Sequence, residues 1–330
     1  MEINTRNVNH AFSQIFWRIK SLNLKSEQTR NGPALVIPEP VTTVYNRPTE
    51  RVLFNAERDA NPIFHLMESI WMLAGRNDVA FLTQFNKNMS NFSDDGVVFN
   101  AAYGYRWRKH FGFDQLPAII EMLSRDPNSR QAIVQMWDTA DLTKRTKDKC
   151  CNMQVIFDLR GGSLNMAVIN RSNDIWWGAY GANAVHFSIL QEFIAGALGV
   201  DVGQYRQVSH NLHLYTELYN THNFVEFPPS EYSGGSYNDL VKPRPLMDND
   251  DWQTFLNECE RFCNNPFNPS YTYVHSFFND VAHPVAMVNY SRKNNLSLGY
   301  EWVDKIKAED WRVATENWVD RRELNKMKKP

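Results

Sequence analysis

Cysteine is scarce in this chain: four occur in 330 residues, Cys150, Cys151, Cys259 and Cys263. So few exclude a disulfide-built fold and fit a reduced compartment. A surplus of one charge sign is also missing. Lys and Arg number 35 against 37 Asp and Glu, a formal net charge of −2. Without a basic excess, a nucleic-acid partner is not expected. No run of 18 apolar residues occurs, so neither a membrane span nor a membrane partner is expected. The first residues, Met1 to Asn7, are polar and lack the apolar core of a signal peptide. These absences lead to the expectation of a cytoplasmic protein. No internal repeat or low-complexity segment is visible. Core-forming residues are plentiful, with 43% hydrophobic and 13% aromatic, enough for one large domain or two.

The pattern along the chain is mixed α and β. Val8, Phe12, Ile15, Phe16 and Ile19 recur at helical spacing and predict an opening helix. A turn at Arg30 to Pro33 is followed by three short apolar runs, 35–37, 42–45 and 51–54, that read as strands. Asn61-Pro62 starts a helix running to Leu73, with Gly75 as its stop. A further helix is expected over 116–124 and a strand over 132–137. Two apolar runs, Met153 to Phe157 and Leu164 to Ile169, flank Gly161-Gly162 and predict a hairpin. Residues 184–198 form an apolar helix ended by Gly199, and 208–215 lead from a strand into another helix. A long loop over 227–250, a helix over 252–262 and a charged tail complete the expectation.

The hairpin carries the chemistry. Its entrance holds Cys150-Cys151 and its exit holds Arg171-Ser172-Asn173-Asp174. A thiol can be a nucleophile, an arginine an anion anchor and an aspartate an acid–base group. Arg130, Lys147, Lys149 and Arg171 are candidate cations to stabilise a thiolate. A cysteine is also a good buried hydrophobe, and that reading stands beside the catalytic one. Cys259 and Cys263 have the spacing of a metal pair, but nothing completes a zinc motif, so no metal is expected. His210 and His213, with Tyr215 behind them, suit a metal pair, a Cys–His hydrolase or a hydroxyl-binding cluster. Glu68 lies in an apolar helix. It either turns to solvent or points inward as a carboxyl suited to moving a proton.

Five segments resemble the thymidylate synthase family, which includes nucleotide hydroxymethylases. They are 66–78, Tyr103-Gly104-Tyr105-Arg106-Trp107-Arg108, 129–137, 150–178 and 208–215, in family order within 27–222. The resemblance implies an α+β sandwich built on a large mixed β-sheet flanked by helices. It also implies an obligate homodimer packed sheet to sheet with shared active sites. The whole chain, 1–330, is expected to be one domain, with 223–330 a divergent extension. The implied substrate is a pyrimidine nucleoside 5′-monophosphate, and the implied co-substrate is 5,10-methylenetetrahydrofolate.

In the family the nucleophile precedes the motif arginine by twenty residues, which selects Cys151 over Cys150. Its thiolate adds to C6 of the pyrimidine and makes C5 nucleophilic. By resemblance Glu68 organises water and Tyr103 assists removal of the C5 proton. Asp174 holds the pterin. Arg30, Arg171 and Ser172 clamp the 5′-phosphate, with Arg130 reaching across from the partner subunit. His213 and Tyr215 hold the sugar 3′-hydroxyl. Departures from the pattern bear on the reaction. Gln131 stands where a second arginine is usual, and Cys150 and Asn152 flank the nucleophile in place of Pro and His. Counting puts Ala182 in the slot of the base-reading Asn, so the next residue, Asn183, or a water is expected to read the pyrimidine edge. The chain ends in Lys and Pro rather than an apolar closing tail. These departures favour a hydroxymethylase, with a cytidylate substrate ahead of a uridylate one. Methylation in the manner of thymidylate synthase and a non-catalytic nucleotide- or nucleic-acid-binding relative are the alternatives.

Overall fold

A computed structural model describes residues 1–221, 237, 241–247 and 251–327. After β1 (Glu2–Thr5), Asn7 caps α1 (Val8–Leu22) by accepting from the backbone N–H groups of Asn9 and His10. This helix buries Val8, Phe12, Ile15, Phe16 and Ile19, the residues whose spacing predicts it. β2 (Ser26–Thr29) and β3 (Gly32–Val36) form a hairpin about the expected turn, and β4 (Val41–Tyr45) follows.

The strand expected over 51–54 does not form. Its backbone finds partners elsewhere. Val52 N–H donates to the Tyr237 hydroxyl, and the Asn9 amide bonds both Val52 C=O and Phe54 N–H. A segment whose polar groups are satisfied by side chains has no ladder left to join.

Asn61 accepts from Phe64 N–H at 3.1 Å and Pro62 takes the first position of α2 (Pro62–Leu73). Next come α3 (Val79–Thr83), the single turn α4 (Tyr103–Tyr105), α5 (Gln115–Arg125) and β5 (Ile133–Gln135). The predicted hairpin is β6 (Asn152–Arg160) and β7 (Ser163–Asn170). Gly161 and Gly162, both at positive φ, make the two-residue turn between them. β8 (Asn173–Asp174) leads into wide π-type turns over Ile175–Ala182. Then come α6 (Asn183–Leu198), β9 (Asp201–Ser209), β10 (Leu212–Tyr215) and α7 (Thr216–Thr221).

The strands make two sheets. The larger is mixed, in the order β1-β4-β9-β7-β6-β5, with β1–β4 and β7–β9 parallel. The smaller runs β2-β3-β10-β8. Helices α1 and α6 pack against the large sheet, where Leu164, Met166 and Val168 of β7 are buried. The alternate residues Asn165, Ala167 and Ile169 remain half-exposed. α2 packs onto α6 as a further layer.

The loop expected over 227–250 falls mostly outside the described residues. The next expected helix is α8 (Trp252–Asn264). The charged tail is in fact helical: α9 (His283–Ser291), α10 (Leu296–Val303) and α11 (Glu309–Met327). Its charges obscure a helical stripe, because Trp311, Ala314, Thr315, Trp318 and Val319 are buried at spacings of three and four. α8, α9 and α11 all pack on α2, and their apolar residues join the common core cluster. On that shared core we propose that residues 1–330 form a single domain. No helix among the described residues is long and apolar enough to cross a membrane.

Gly104 lies so close to α2 that a Cβ there would fall 2.0 Å from the Met72 carbonyl oxygen. Gly104→Ala must push α4 off α2 and should cost about 1–3 kcal/mol. Thermal unfolding checks this, and a melting temperature equal to the parent's would contradict the packing.

Candidate active site

Strand register brings the thiol and the arginine together. Asn152 of β6 pairs with Asn170 of β7. The residue before one strand therefore meets the residue after the other, and Arg171 N–H donates to Cys151 C=O at 3.0 Å. The twenty-residue interval is this register. The Arg171 side chain folds back over the same spot. Nε donates to Cys150 C=O at 2.8 Å, and Nη2 lies 3.7 Å from Cys151 Sγ. The guanidinium also sits 5.7 Å from the Trp137 ring centroid.

The two cysteines differ sharply. Cys150 is fully buried, with Sγ 3.4 Å from Met136 C=O, and burial pushes its thiol up to about 12. Cys151 is partly accessible. Burial raises its thiol too, but the positive charges of Arg171 and Arg30 pull the other way. Lys147 and Lys149 turn instead to the carbonyls of Ser93 and Leu142. The Tyr103 hydroxyl accepts from Cys151 N–H at 3.3 Å, and burial holds it as a neutral phenol.

An all-amide cluster adjoins the thiol. Asn152 Nδ2 donates to Asn183 Oδ1 at 3.3 Å, and Asn183 Nδ2 donates to Asn173 Oδ1 at 3.0 Å. Asn173 Nδ2 in turn donates to Ser209 Oγ at 3.2 Å. Asn152 Oδ1 is buried without a partner. Asn183, not Ala182, joins this cluster. Just before Asn183 the wide turns kink at Tyr180 and Gly181, the latter at φ −133° and ψ −110°.

Glu68 points inward. Its side chain is 14% exposed, and Oε2 lies 3.1 Å from His186 Nε2. The contact is close enough for an ion pair but off the angle of a hydrogen bond, so His186 Nε2 is buried without a hydrogen-bond partner. His186 went unnoticed in the sequence, although it sits one turn beyond Asn183.

Asp174 caps the turn by accepting from Trp177 N–H, while its Oδ2 is buried and unpartnered. Burial raises its carboxyl to about 6, against the pull of that hydrogen bond and of Arg58. Arg58 is itself buried, bonded to Trp176 C=O at 2.6 Å and stacked 4.7 Å from the Trp177 ring centroid. No local sequence signal marks Arg58. Trp177 is 55% exposed. An orphaned carboxylate oxygen beside an open indole face fits a flat heteroaromatic ring bearing N–H donors.

The small sheet supplies the remaining candidates. His213 is buried, with Nδ1 2.9 Å from Asn211 Oδ1, and burial lowers its pKa. Its ring meets Tyr215 edge-on at 5.3 Å, and Asn31, next to Arg30, donates to the Tyr215 hydroxyl at 3.3 Å. His210 is exposed, so the two histidines do not form a pair of ligands. Ser172 is half-buried beside Arg171. Arg130 is exposed before β5 and is not brought to the thiol within one chain. Cys259 and Cys263 are buried in α8, and no metal-holding group of His, Cys, Asp or Glu exists among the described residues.

The family model described as thymidylate synthase matches residues 56–226, the span holding Glu68, Tyr103, Cys151, Arg171, Asp174, Asn183 and His213. A deoxyuridylate hydroxymethyltransferase of Pseudomonas phage M6 is 43% identical over 337 residues, covering 97% of this chain and 94% of that one. The chain belongs to the thymidylate synthase family. A second deoxyuridylate hydroxymethyltransferase, from Bacillus phage SP01, is 36% identical over 260 residues, or 72% of this chain and 68% of that one. The crystal structure of thymidylate synthase from T4 phage matches with a TM-score of 0.55 at 21% identity, over 64% of this chain and 78% of that one. That likeness shows the shared fold. As a member of the family the protein is an enzyme that transfers a one-carbon unit to C5 of a pyrimidine nucleotide. The family's co-substrate is methylenetetrahydrofolate.

Iodoacetamide should modify Cys151 ahead of the other three cysteines, faster as pH rises, because burial favours the neutral thiol. Arg171→Gln should move that profile to higher pH by removing the cation nearest the sulfur. Mass mapping of the alkylated peptides checks both. An unmoved profile, or earlier modification of Cys150, would contradict the site.

Proposed function

We propose that this enzyme is a deoxyuridylate 5-hydroxymethyltransferase that uses 5,10-methylenetetrahydrofolate and works through a Cys151 adduct at C6. The all-amide cluster carries the choice of base. A uracil edge presents a C4 carbonyl acceptor and an N3–H donor, and the one Asn183 amide answers both. A carboxylate would suit cytosine, but none joins the cluster among the described residues. The cytidylate preference drawn from Ala182 therefore yields to uridylate. The names of the phage M6 and SP01 relatives support the same base, the deoxy sugar and the hydroxymethyl product.

Each residue has a distinct task in this reading. Arg171 and Arg30 favour the thiolate, and with Ser172 they bind the 5′-phosphate through charge-assisted bonds. The Cys151 thiolate adds to C6, its electron pair shifts through C5 toward O4, and C5 becomes the nucleophile. Asn183 fixes the base edge, while His213 and Tyr215 take the sugar hydroxyl. Tyr103, beside the thiol, assists departure of the C5 proton, and Glu68 holds water. Asp174 Oδ2 and the Trp177 face hold the folate ring, which supplies a methylene carbon at the oxidation level of formaldehyde. The half-exposed strand face bearing Ile156, Ala167 and Ile169 suits packing against a second copy. In that dimer the exposed Arg130 reaches the partner's phosphate.

Mass spectrometry of the product from dUMP and dCMP tests the reaction. We expect dUMP to gain a CH₂O unit without dihydrofolate. A product heavier by CH₂, with stoichiometric dihydrofolate, would replace this reading by methylation, and preference for dCMP would reverse the base assignment. Shared sites have their own check. Inactive Cys151→Ala and inactive Arg130→Ala subunits should regain activity when mixed, since one hybrid site keeps both residues. No recovery despite demonstrated subunit exchange would count against the dimer.

A further inference from the structure

We infer that His186 is a positioning residue for the water that completes the reaction, holding it jointly with Glu68 against the new methylene carbon on C5. The inference rests on the hydroxymethyl reading and assigns the part of the site that would produce it. Asn183, His186 and Phe187 share one face at the start of α6, at spacings of three and four. Asn183 enters the amide cluster beside Cys151, and Phe187 packs against the Tyr103 ring at 6.1 Å. His186 thus sits between the base-reading amide and the phenol, turned toward Glu68 of α2.

Two observations point to a ligand beside the His186–Glu68 contact. His186 is 4% exposed, and its Nε2 has no hydrogen-bond partner although Glu68 Oε2 is only 3.1 Å away. A buried imidazole nitrogen left unbonded is costly, and a water bonded to both atoms removes that cost. Glu68 retains some exposure while His186 has almost none, so water approaches from the carboxylate side. His65, one turn before Glu68 on α2, meets the His186 ring edge-on at 6.3 Å. Burial, with Arg58 and His186, holds it uncharged.

The step balances without an oxidant or reductant. The water oxygen bonds to the methylene carbon, and its proton passes to the Glu68 carboxylate. The electron pair moves through C5 to O4. Collapse of that enolate restores C4=O, forms C5=C6 and expels the Cys151 thiolate. His186 Nε2, which has no other hydrogen-bond partner, bonds the same water and so directs the oxygen lone pair at carbon. A methylating enzyme must keep water away from this carbon, whereas the unbonded His186 Nε2 beside Glu68 offers it partners here.

The test uses His186→Phe and His186→Gln in the full-length protein, with dUMP, the folate and an added thiol. His186→Phe should lower kcat for the hydroxymethyl product by about tenfold or more, while KM for dUMP moves less than about threefold. The stranded methylene should then be captured by the added thiol as a 5-thiomethyl nucleotide. His186→Gln, which keeps a polar atom near Nε2, should recover part of the rate. Folate-free dehalogenation of 5-bromodeoxyuridylate, which reads Cys151 addition alone, should persist in both variants. An unchanged kcat with no thioether overturns the inference. So does equal loss of dehalogenation, which would mean that His186 only supports the helix. If His186→Phe fails to fold, an unchanged kcat and thioether yield in His186→Gln overturns it as well. A methylated product from the unaltered enzyme instead removes the reading on which the inference rests.

Discussion

The register of the β6–β7 hairpin is the constraint on which the site depends. Asn152 opposite Asn170 puts the chain before one strand against the chain after the other. From that one pairing Cys151 gains its neighbour Arg171, and Asn152 reaches Asn183. A slip of a single residue would reverse which side chains face the helical layer. It would carry the thiol away from the arginine while leaving every residue type unchanged. The Gly161-Gly162 turn sets this register locally, and burial of Leu164, Met166 and Val168 locks it.

The adjacent cysteines show how backbone direction, rather than composition, selects a nucleophile. Cys150 faces the core between Met136 and Ala101, where its charged form has no support beyond the distant pull of Arg106. Cys151, one residue on, faces Arg171 and the open site. Even there burial opposes the thiolate. Tyr103 carries the same burden and stays protonated. Burial thus works against the charged form of both groups, and at the sulfur the two arginines oppose it.

α2 and α6 form the rear wall and carry Glu68 and His186. They pack on one another, and α2 is also held from behind by α8, α9 and α11. The C-terminal segment therefore acts as a buttress. The buried Arg51–Glu192 ion pair and the Tyr237–Asp310 hydrogen bond tie the loop before α2, α6 and α11 into one buried polar network. Such networks fix geometry when every member is bonded, and breaking one leaves a buried charge alone.

The sequence by itself determined what depends on neighbours in the chain. Asn61-Pro62 marks the start of α2, Gly199 the end of α6 and Gly161-Gly162 the hairpin, because caps and turns are local. The family resemblance singled out Cys151 by its spacing to Arg171, a spacing that a short-range hairpin register holds. Tertiary structure decided the rest, since the deciding partners are distant. Segment 51–54 lost its strand to Asn9 and Tyr237. Glu68 turned inward against His186, 118 positions later in the chain. Asn183 met Asn152 and Asn173, 31 and 10 positions earlier in the chain. The charged tail hid its stripe because the apolar residues are few among many charges, and only packing on α2 reveals which face they share.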